Sequence, residues 1–261
     1  MKVKPKKHLG QHFLIDLGIS KKIADSLTLS KGNCNIMEVG PGTGALTQFL
    51  FSEDINLIAY EIDEESVVFL NEKYPKLNLR IENILSVDWK NIFNYQPFTV
   101  TGNFPYNISS QILFKIYENR NMVFQMVGMF QKEVAERVCS GPGTKKYGIL
   151  SVLLQAFYHV EYLFTVDENV FNPPPKVKSG VIRLQRNDVQ NLECDEKLFL
   201  IVVKAIFNQR RKMVRNSLKS LMMGQIIDHP LFVKRPEQLT ITNFINITKM
   251  LESIINQSKS A

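Results

Sequence analysis

The ten residues from Glu38 to Thr47, EVGPGTGALT, place glycines at positions 40, 42 and 44, directly after an apolar run that reads as a strand. Glycine lets a backbone pass close to a ligand, and a helix that opens there turns its free amides toward it. A dinucleotide pyrophosphate is the common occupant of such a turn. The spacing here is E-x-G-x-G-x-G rather than G-x-G-x-x-G, and Glu38 brings negative charge to it. That charge repels a pyrophosphate and suits a cation. Glu61 closes the next apolar run, INLIAYEID at 55–63, at the distance of about 20 residues where a carboxylate takes ribose hydroxyls. A tight turn and a solvated acid would explain either feature alone. The pair at this spacing points to a nucleoside carrying positive charge, and S-adenosylmethionine (SAM), with its sulfonium and amino groups, is such a ligand.

A second cluster, GNFPYNIS at 102–109, follows the β-rich run FTVTGNFPY. It should stand at the carboxyl edge of the sheet, beside the same crevice. Its residue types suit methylation of an exocyclic adenine amine. The N6 lone pair is delocalised into the ring, so the amine is a poor nucleophile. Two acceptors on its hydrogens would draw it toward tetrahedral geometry, and the Asn103 side-chain oxygen with the Phe104 carbonyl offers two. Pro105 stiffens the loop, and Tyr106 gives a base a ring to stack on. An Asx-Pro turn with a core tyrosine is the plainer explanation, and the upstream glycine turn outweighs it. The glycine turn with Glu61 resembles the Rossmann-like class I SAM-dependent methyltransferases. The NFPY loop resembles the [NDS]-[PLF]-P-[YFW] signature of amino-methyltransferases that act on nucleic acids.

The elements that must position these residues alternate. Strands are expected at 33–39, 55–63, 77–83, 98–106, 122–130 and 179–186, and helices at 64–74, 108–119 and 131–140. The run SVLLQAFYHVEYLFTV at 151–166 fits either type, and a strand is the favoured reading. Apolar strands alternating with helices predict an α/β, mostly parallel, doubly wound sheet. Beyond about residue 190 the texture becomes helical, over 193–222 and 237–256. The expected organisation is a catalytic domain over 1–190 and a small all-helical domain over 191–261.

The 261 residues carry a formal charge of +7, with 44% apolar and 22% charged residues. Such a chain has the apolar surface to fold, so disorder, collagen and disulfide scaffolds are excluded. No apolar run is long enough to span a membrane, and the basic start MKVKPKKHLGQHF has no apolar region behind it. The cysteines at 34, 139 and 194 and the histidines at 8, 12, 159 and 229 lack metal-ligand spacing. A reducing, cytoplasmic setting and no metal are expected. The surplus charge lies at the ends: lysines 2, 4, 6 and 7, and residues 195–261 with 11 basic against 5 acidic residues. Arg210, Arg211, Lys212, Arg215 and Lys219 follow one another without an acid between 206 and 219. Read as one helix, 211, 215 and 219 share a face suited to RNA phosphates.

Three further segments, KHLGQHFL (7–14), VFNPPPKVKSGVIRL (170–184) and IFNQRRKMVRNSL (206–218), complete a resemblance to the KsgA-type small-subunit ribosomal RNA adenine dimethyltransferases. It covers nearly the whole length. The resemblance implies a Rossmann-like domain with a small helical domain. It implies transfer of methyl groups from SAM to N6 of two adjacent adenosines in the 3′-terminal hairpin of small-subunit (16S) rRNA, on a 30S assembly intermediate. By position, His12, Leu14, Glu38, Gly40, Gly42, Glu61 and Asn103 would hold the cofactor. Asn103 would position N6, Tyr106 would stack on the target base, and Phe171 would stack on its opposite face. Arg210, Arg211, Lys212 and Arg215 would contact rRNA. One departure is Asn83, where the family usually has an aspartate that accepts the adenine amino group of SAM; an amide oxygen can still accept. Phe104 stands where many members have leucine. A monomer is expected. The Erm-type 23S rRNA adenine methyltransferases share the first motifs, and FNQRRKMVRNSL argues against them. An rRNA-binding assembly factor with weak activity is the other alternative, disfavoured by the intact Glu61 and NFPY loop.

Overall fold

The computed structural model describes residues 3–28 and 34–260. Lys2 of the basic start and Asn33, the first residue of the expected strand 33–39, lie outside the described residues. Two compact units emerge, one from residues 1–136 with 159–186, the other from 137–158 with 187–261.

The first unit is built on strands β1 (Phe13–Leu14), β2 (Asn35–Val39), β3 (Asn56–Tyr60), β4 (Asn78–Arg80), β5 (Phe98–Asn103), β6 (Val123–Gln131), β7 (Tyr158–Val166), β8 (Phe171–Asn172) and β9 (Ser179–Arg186). Seven of them form one sheet in the order β4-β3-β2-β5-β6-β9-β7. The run β4 to β6 is parallel, and β9 lies antiparallel to β6, with Ser179 opposite Gln131. β1 and β8 pair separately, Leu14 opposite Phe171. The central parallel strands β2, β5 and β6 are buried on both faces: Ile36, Met37, Val100, Met126 and Val127 have no exposed surface. Helices α1 (Leu17–Asp25), α2 (Thr47–Leu50), α3 (Glu64–Lys73), α4 (Ser109–Glu118) and α5 (Lys132–Cys139) connect or follow these strands. The Asp16 side chain caps α1 by accepting the Ile19 amide at 3.1 Å. The α/β reading holds.

The second unit contains α6 (Ile149–Gln155), α7 (Glu196–Asn208), α8 (Val214–Ser217) and α9 (Ile241–Ser260). Asp195 caps α7 through the Lys197 and Leu198 amides, at 2.7 and 2.9 Å. Phe199, Val202, Val203, Ile206 and Phe207 form its buried stripe, at the spacing a packed helix requires. That stripe meets α6 and α9, and the rings of Phe207 and Phe244 stack at 5.7 Å. The contacts divide the chain differently from a single cut at residue 190, because α6 packs on α7 and so groups 137–158 with the C-terminal helices. The run 151–166, read as a strand, is one from Tyr158 onward, while its first five residues belong to α6, which ends at Gln155. No helix among the described residues is long and apolar enough to cross a membrane.

Candidate active site

The strand order reverses between β2 and β5, and open α/β sheets bind ligands outside the carboxyl ends of strands at such a point. Four candidate residues stand there for that reason alone. Glu38 lies near the end of β2, Glu61 follows β3, Asn83 follows β4, and Asn103 ends β5. All four line one cleft together with the glycine turn, the NFPY loop and residues 9–14 of the N-terminal arm.

The turn needs its glycines. Gly40, Gly42 and Gly44 have φ of 68°, 56° and 76°, a region costly for residues with a Cβ. The helix behind the turn is a single four-residue stretch, Thr47–Leu50. A ligand here therefore meets turn amides more than an aligned helix. One of those amides, Gly42 N–H, donates to Glu61 Oε2 at 3.0 Å. Glu61 Oε1 accepts the Ile62 and Asp63 amides at 2.8 and 2.9 Å. These bonds fix the carboxylate, use both sites on Oε1 and leave one on Oε2. Burial pushes the Glu61 pKa up in spite of these three donors. Glu38 is 1% exposed and accepts Thr47 Oγ1–H at 2.8 Å. Burial pushes its pKa up to about 8, against the Thr47 hydrogen bond and with help from the charge of Glu61. Two buried carboxyls in one cleft are each stabilised as anions by a cationic guest. Ile62, half exposed, and Leu85 supply apolar surface for a flat ring beside Asn83. The residues present therefore fit a sulfonium nucleoside. Asn83 Oδ1 accepts the Leu85 amide at 3.0 Å, which closes an Asx turn.

On the opposite side of the cleft, Asn103 Nδ2 donates to the His12 carbonyl at 2.8 Å. A carbonyl only accepts, so the amide nitrogen must face it and Oδ1 is left as a free acceptor. The Phe104 ring is 1% exposed, stacks on Phe130 at 4.7 Å, and fits because Gly102 and Gly128 lack side chains. What Phe104 offers the cleft is its backbone. The hydroxyls of Tyr106 and Ser179 share a hydrogen bond at 2.5 Å, and the Tyr106 ring stacks with His12 at 5.3 Å. Burial raises the Tyr106 pKa and the Ser179 bond lowers it. His12 Nδ1 lies 2.8 Å from the Pro173 carbonyl, so that nitrogen carries a proton.

The sequence profile of the ribosomal RNA adenine dimethylase family matches residues 2–256. The chain belongs to this family. Among its relatives, proteins called ribosomal RNA small subunit methyltransferase A from Bacteroides thetaiotaomicron and Flavobacterium johnsoniae are 52% and 53% identical to it. The first alignment covers 99% of this chain and 98% of the relative, the second 97% of each. A dimethyladenosine transferase from Plasmodium falciparum shares the fold, with a TM-score of 0.76 at 23% identity over 93% of this chain and 98% of the other. The 23S rRNA methyltransferase ErmE superposes with a TM-score of 0.67 at 24% identity, over 91% and 99%.

The structure of this dimethylase-family chain gathers His12, Leu14, Glu38, Gly40, Gly42, Glu61, Asn83, Asn103, Phe104, Pro105 and Tyr106 around one cleft. It does not bring Phe171 there. That ring is 3% exposed and packs in the core with Leu14, Ile23 and Val181. Pairing of β8 with β1 turns it inward, so it offers no open face to a base. The basic segment is also not one helix. α7 ends at Asn208, residues 209–213 form a turn, and α8 spans only Val214–Ser217. Two long-range ties hold the break open. Arg210 donates to the Tyr147 and Thr144 carbonyls at 2.7 and 3.1 Å, and the Val214 amide donates to the Lys234 carbonyl at 2.9 Å. Arg210 is thus a brace for the loop around Thr144, while Arg211, Lys212 and Arg215 are exposed. Three participants escaped the sequence reading. Ile62 and Leu85 are next to residues already singled out. Asp63, 1% exposed, receives Gln11 Nε2–H at 3.2 Å and Ser66 Oγ–H at 2.7 Å, and pairs with Lys6. Burial works against its ionisation, but these donors hold its pKa below the ordinary value. The two acids that flank Ile62, Glu61 and Asp63, are the available signal.

Proposed function

We propose that this chain dimethylates N6 of two adjacent adenosines in the 3′-terminal hairpin loop of small-subunit rRNA, using SAM, on a 30S assembly intermediate. It acts in the cytoplasm as a monomer. The observation that carries the chemistry is the fixed amide of Asn103, whose Oδ1 is left as an acceptor beside the Phe104 backbone. The choice of small-subunit RNA rests on the relatives at 52–53% identity. The likeness to ErmE speaks for the fold alone.

Glu38, Glu61, Asn83 and the glycine turn would hold SAM, which supplies a methyl group on a positively charged sulfur. In the first transfer Asn103 Oδ1 and the Phe104 carbonyl accept the two N6 hydrogens and aim the lone pair; in the second, one of them accepts the hydrogen that remains. Pro105 keeps these acceptors in fixed relation, which is how positioning contributes to rate. No strong base is needed beforehand, because the nitrogen becomes acidic once it is methylated. Tyr106 presents a ring to the target base. Arg211, Lys212 and Arg215 would meet RNA phosphates. Labelled SAM incubated with 30S particles lacking the modification should label two adjacent adenosines near the 3′ end of 16S rRNA. Labelling of naked 23S rRNA instead, or of neither, would overturn the proposal.

A further inference from the structure

Tyr106 opens a three-residue 3-10 turn between β5 and α4, and a stacking surface must be held still to help catalysis. Its ring is held at two places. The hydroxyl bonds to Ser179 Oγ at 2.5 Å, and one face stacks with His12 at 5.3 Å and 29°. Ser179 is a rigid post. It opens β9, is opposite Gln131 in the antiparallel pair with β6, and has no exposed surface. The amide of Lys132 donates to the Lys178 carbonyl at 2.9 Å, which extends the clamp. His12 is equally constrained, through Nδ1 to the Pro173 carbonyl and through its own carbonyl to Asn103. Both holds trace to the segment 173–179, whose phenylalanine neighbour at 171 is buried in the core.

We infer that Ser179 is a positioning residue for methyl transfer: its hydroxyl sets the orientation of the Tyr106 ring, and His12 closes one face of that ring so that the target base stacks on the other alone. This rests on the reading of Tyr106 as the base platform. A neutral side-chain hydrogen bond in such a place is a modest but directional restraint. Its loss lets the ring rotate without removing any stacking surface.

The test compares Ser179→Ala, Tyr106→Phe, the double variant and Tyr106→Ala in full-length protein, with unmodified 30S particles and labelled SAM. Ser179→Ala and Tyr106→Phe remove the same bond from opposite sides, so a folding defect in one does not end the test. Each should lower kcat about three- to tenfold. SAM affinity by calorimetry and KM for the particle should stay near wild type. The double variant should match either single one, because both remove one interaction. Tyr106→Ala should lose far more activity. Ser179→Ala at full turnover with Tyr106→Ala inactive overturns the inference alone, as does additivity of the two single effects. Tyr106→Ala at full turnover overturns the platform reading and the inference with it.

Discussion

Replacing Gly128 by alanine places a methyl carbon 2.1 Å from Cε2 of Phe104, 2.9 Å from Cδ2 and 3.0 Å from Cζ. Carbon atoms settle at about 3.5–4.0 Å, so the ring edge must retreat by more than about 1 Å. Phe130 stacks on the ring at 4.7 Å and leaves it little room. Overpacking of this kind costs about 1–3 kcal/mol of stability. The larger effect is on rate. The displaced residue carries the carbonyl acceptor and follows Asn103, and a misplacement of about 1 Å at reacting groups costs roughly 100-fold. Gly128→Ala should therefore melt earlier and methylate 30S particles up to about 100-fold more slowly, with SAM affinity little changed. In a Phe104→Leu background Cε2 and Cζ are gone and only a rotatable Cδ branch remains, so adding Gly128→Ala should cost much less. Gly102→Ala is the control: its new carbon lies 2.5 Å from the Val39 carbonyl oxygen, so Phe104→Leu should not rescue it. Equal turnover losses from Gly128→Ala in both backgrounds would refute the packing argument.

Four other outcomes are expected. Glu38 holds its proton up to about pH 8 in the folded protein and only to about 4.5 as an ordinary glutamate. The native state thus binds more protons between these values, and ligand-free stability should fall as pH rises through that window. Glu38→Gln should reduce that slope, leaving the part that belongs to Glu61, and should also flatten the tightening of SAM binding between pH 7 and 9; identical pH profiles in melting and calorimetry would contradict this. Asn83→Asp keeps an acceptor for the Leu85 amide, so SAM binding should be unchanged or tighter, and a large loss by calorimetry would count against it. Arg211→Glu with Arg215→Glu should weaken RNA binding and reduce its salt slope. Arg210→Ala should chiefly lower the melting temperature, because it forfeits the bonds to the Thr144 and Tyr147 carbonyls. An unchanged slope in the first pair, or an unchanged melt in the last variant, would reverse these assignments.

The parts of the site that sequence exposed are those where a strand end and its loop are contiguous. The glycine turn, Glu61 and Asn103-to-Tyr106 are legible because the residue types and the element boundary fall within a few positions. Asp63 with Lys6 depends on a pairing across 57 residues, which no local pattern carries. Phe171 lies in a recognisable motif, but which way a two-residue strand faces is decided by its partner, β1. The run 151–166 has no Gly or Pro to mark the change from helix to strand, and its apolar residues satisfy both periods. The basic stretch at 206–219 has helical spacing throughout. It breaks because Arg210 and Val214 find partners at the Thr144 loop and Lys234, an outcome of tertiary contacts rather than propensity.

The helical unit draws its residues from two separated stretches, and this bears on how the chain can be assembled as it is made. α6 leaves the ribosome some 40 residues ahead of α7, its principal cover. Leu150, Val152, Leu153 and Leu154, all buried in the finished protein, have to wait for that later segment. A product that stops near residue 190 would carry this apolar helix without its lid and would be prone to aggregate. The helical unit thus closes only late in synthesis, after the strands that shape the cleft have all emerged.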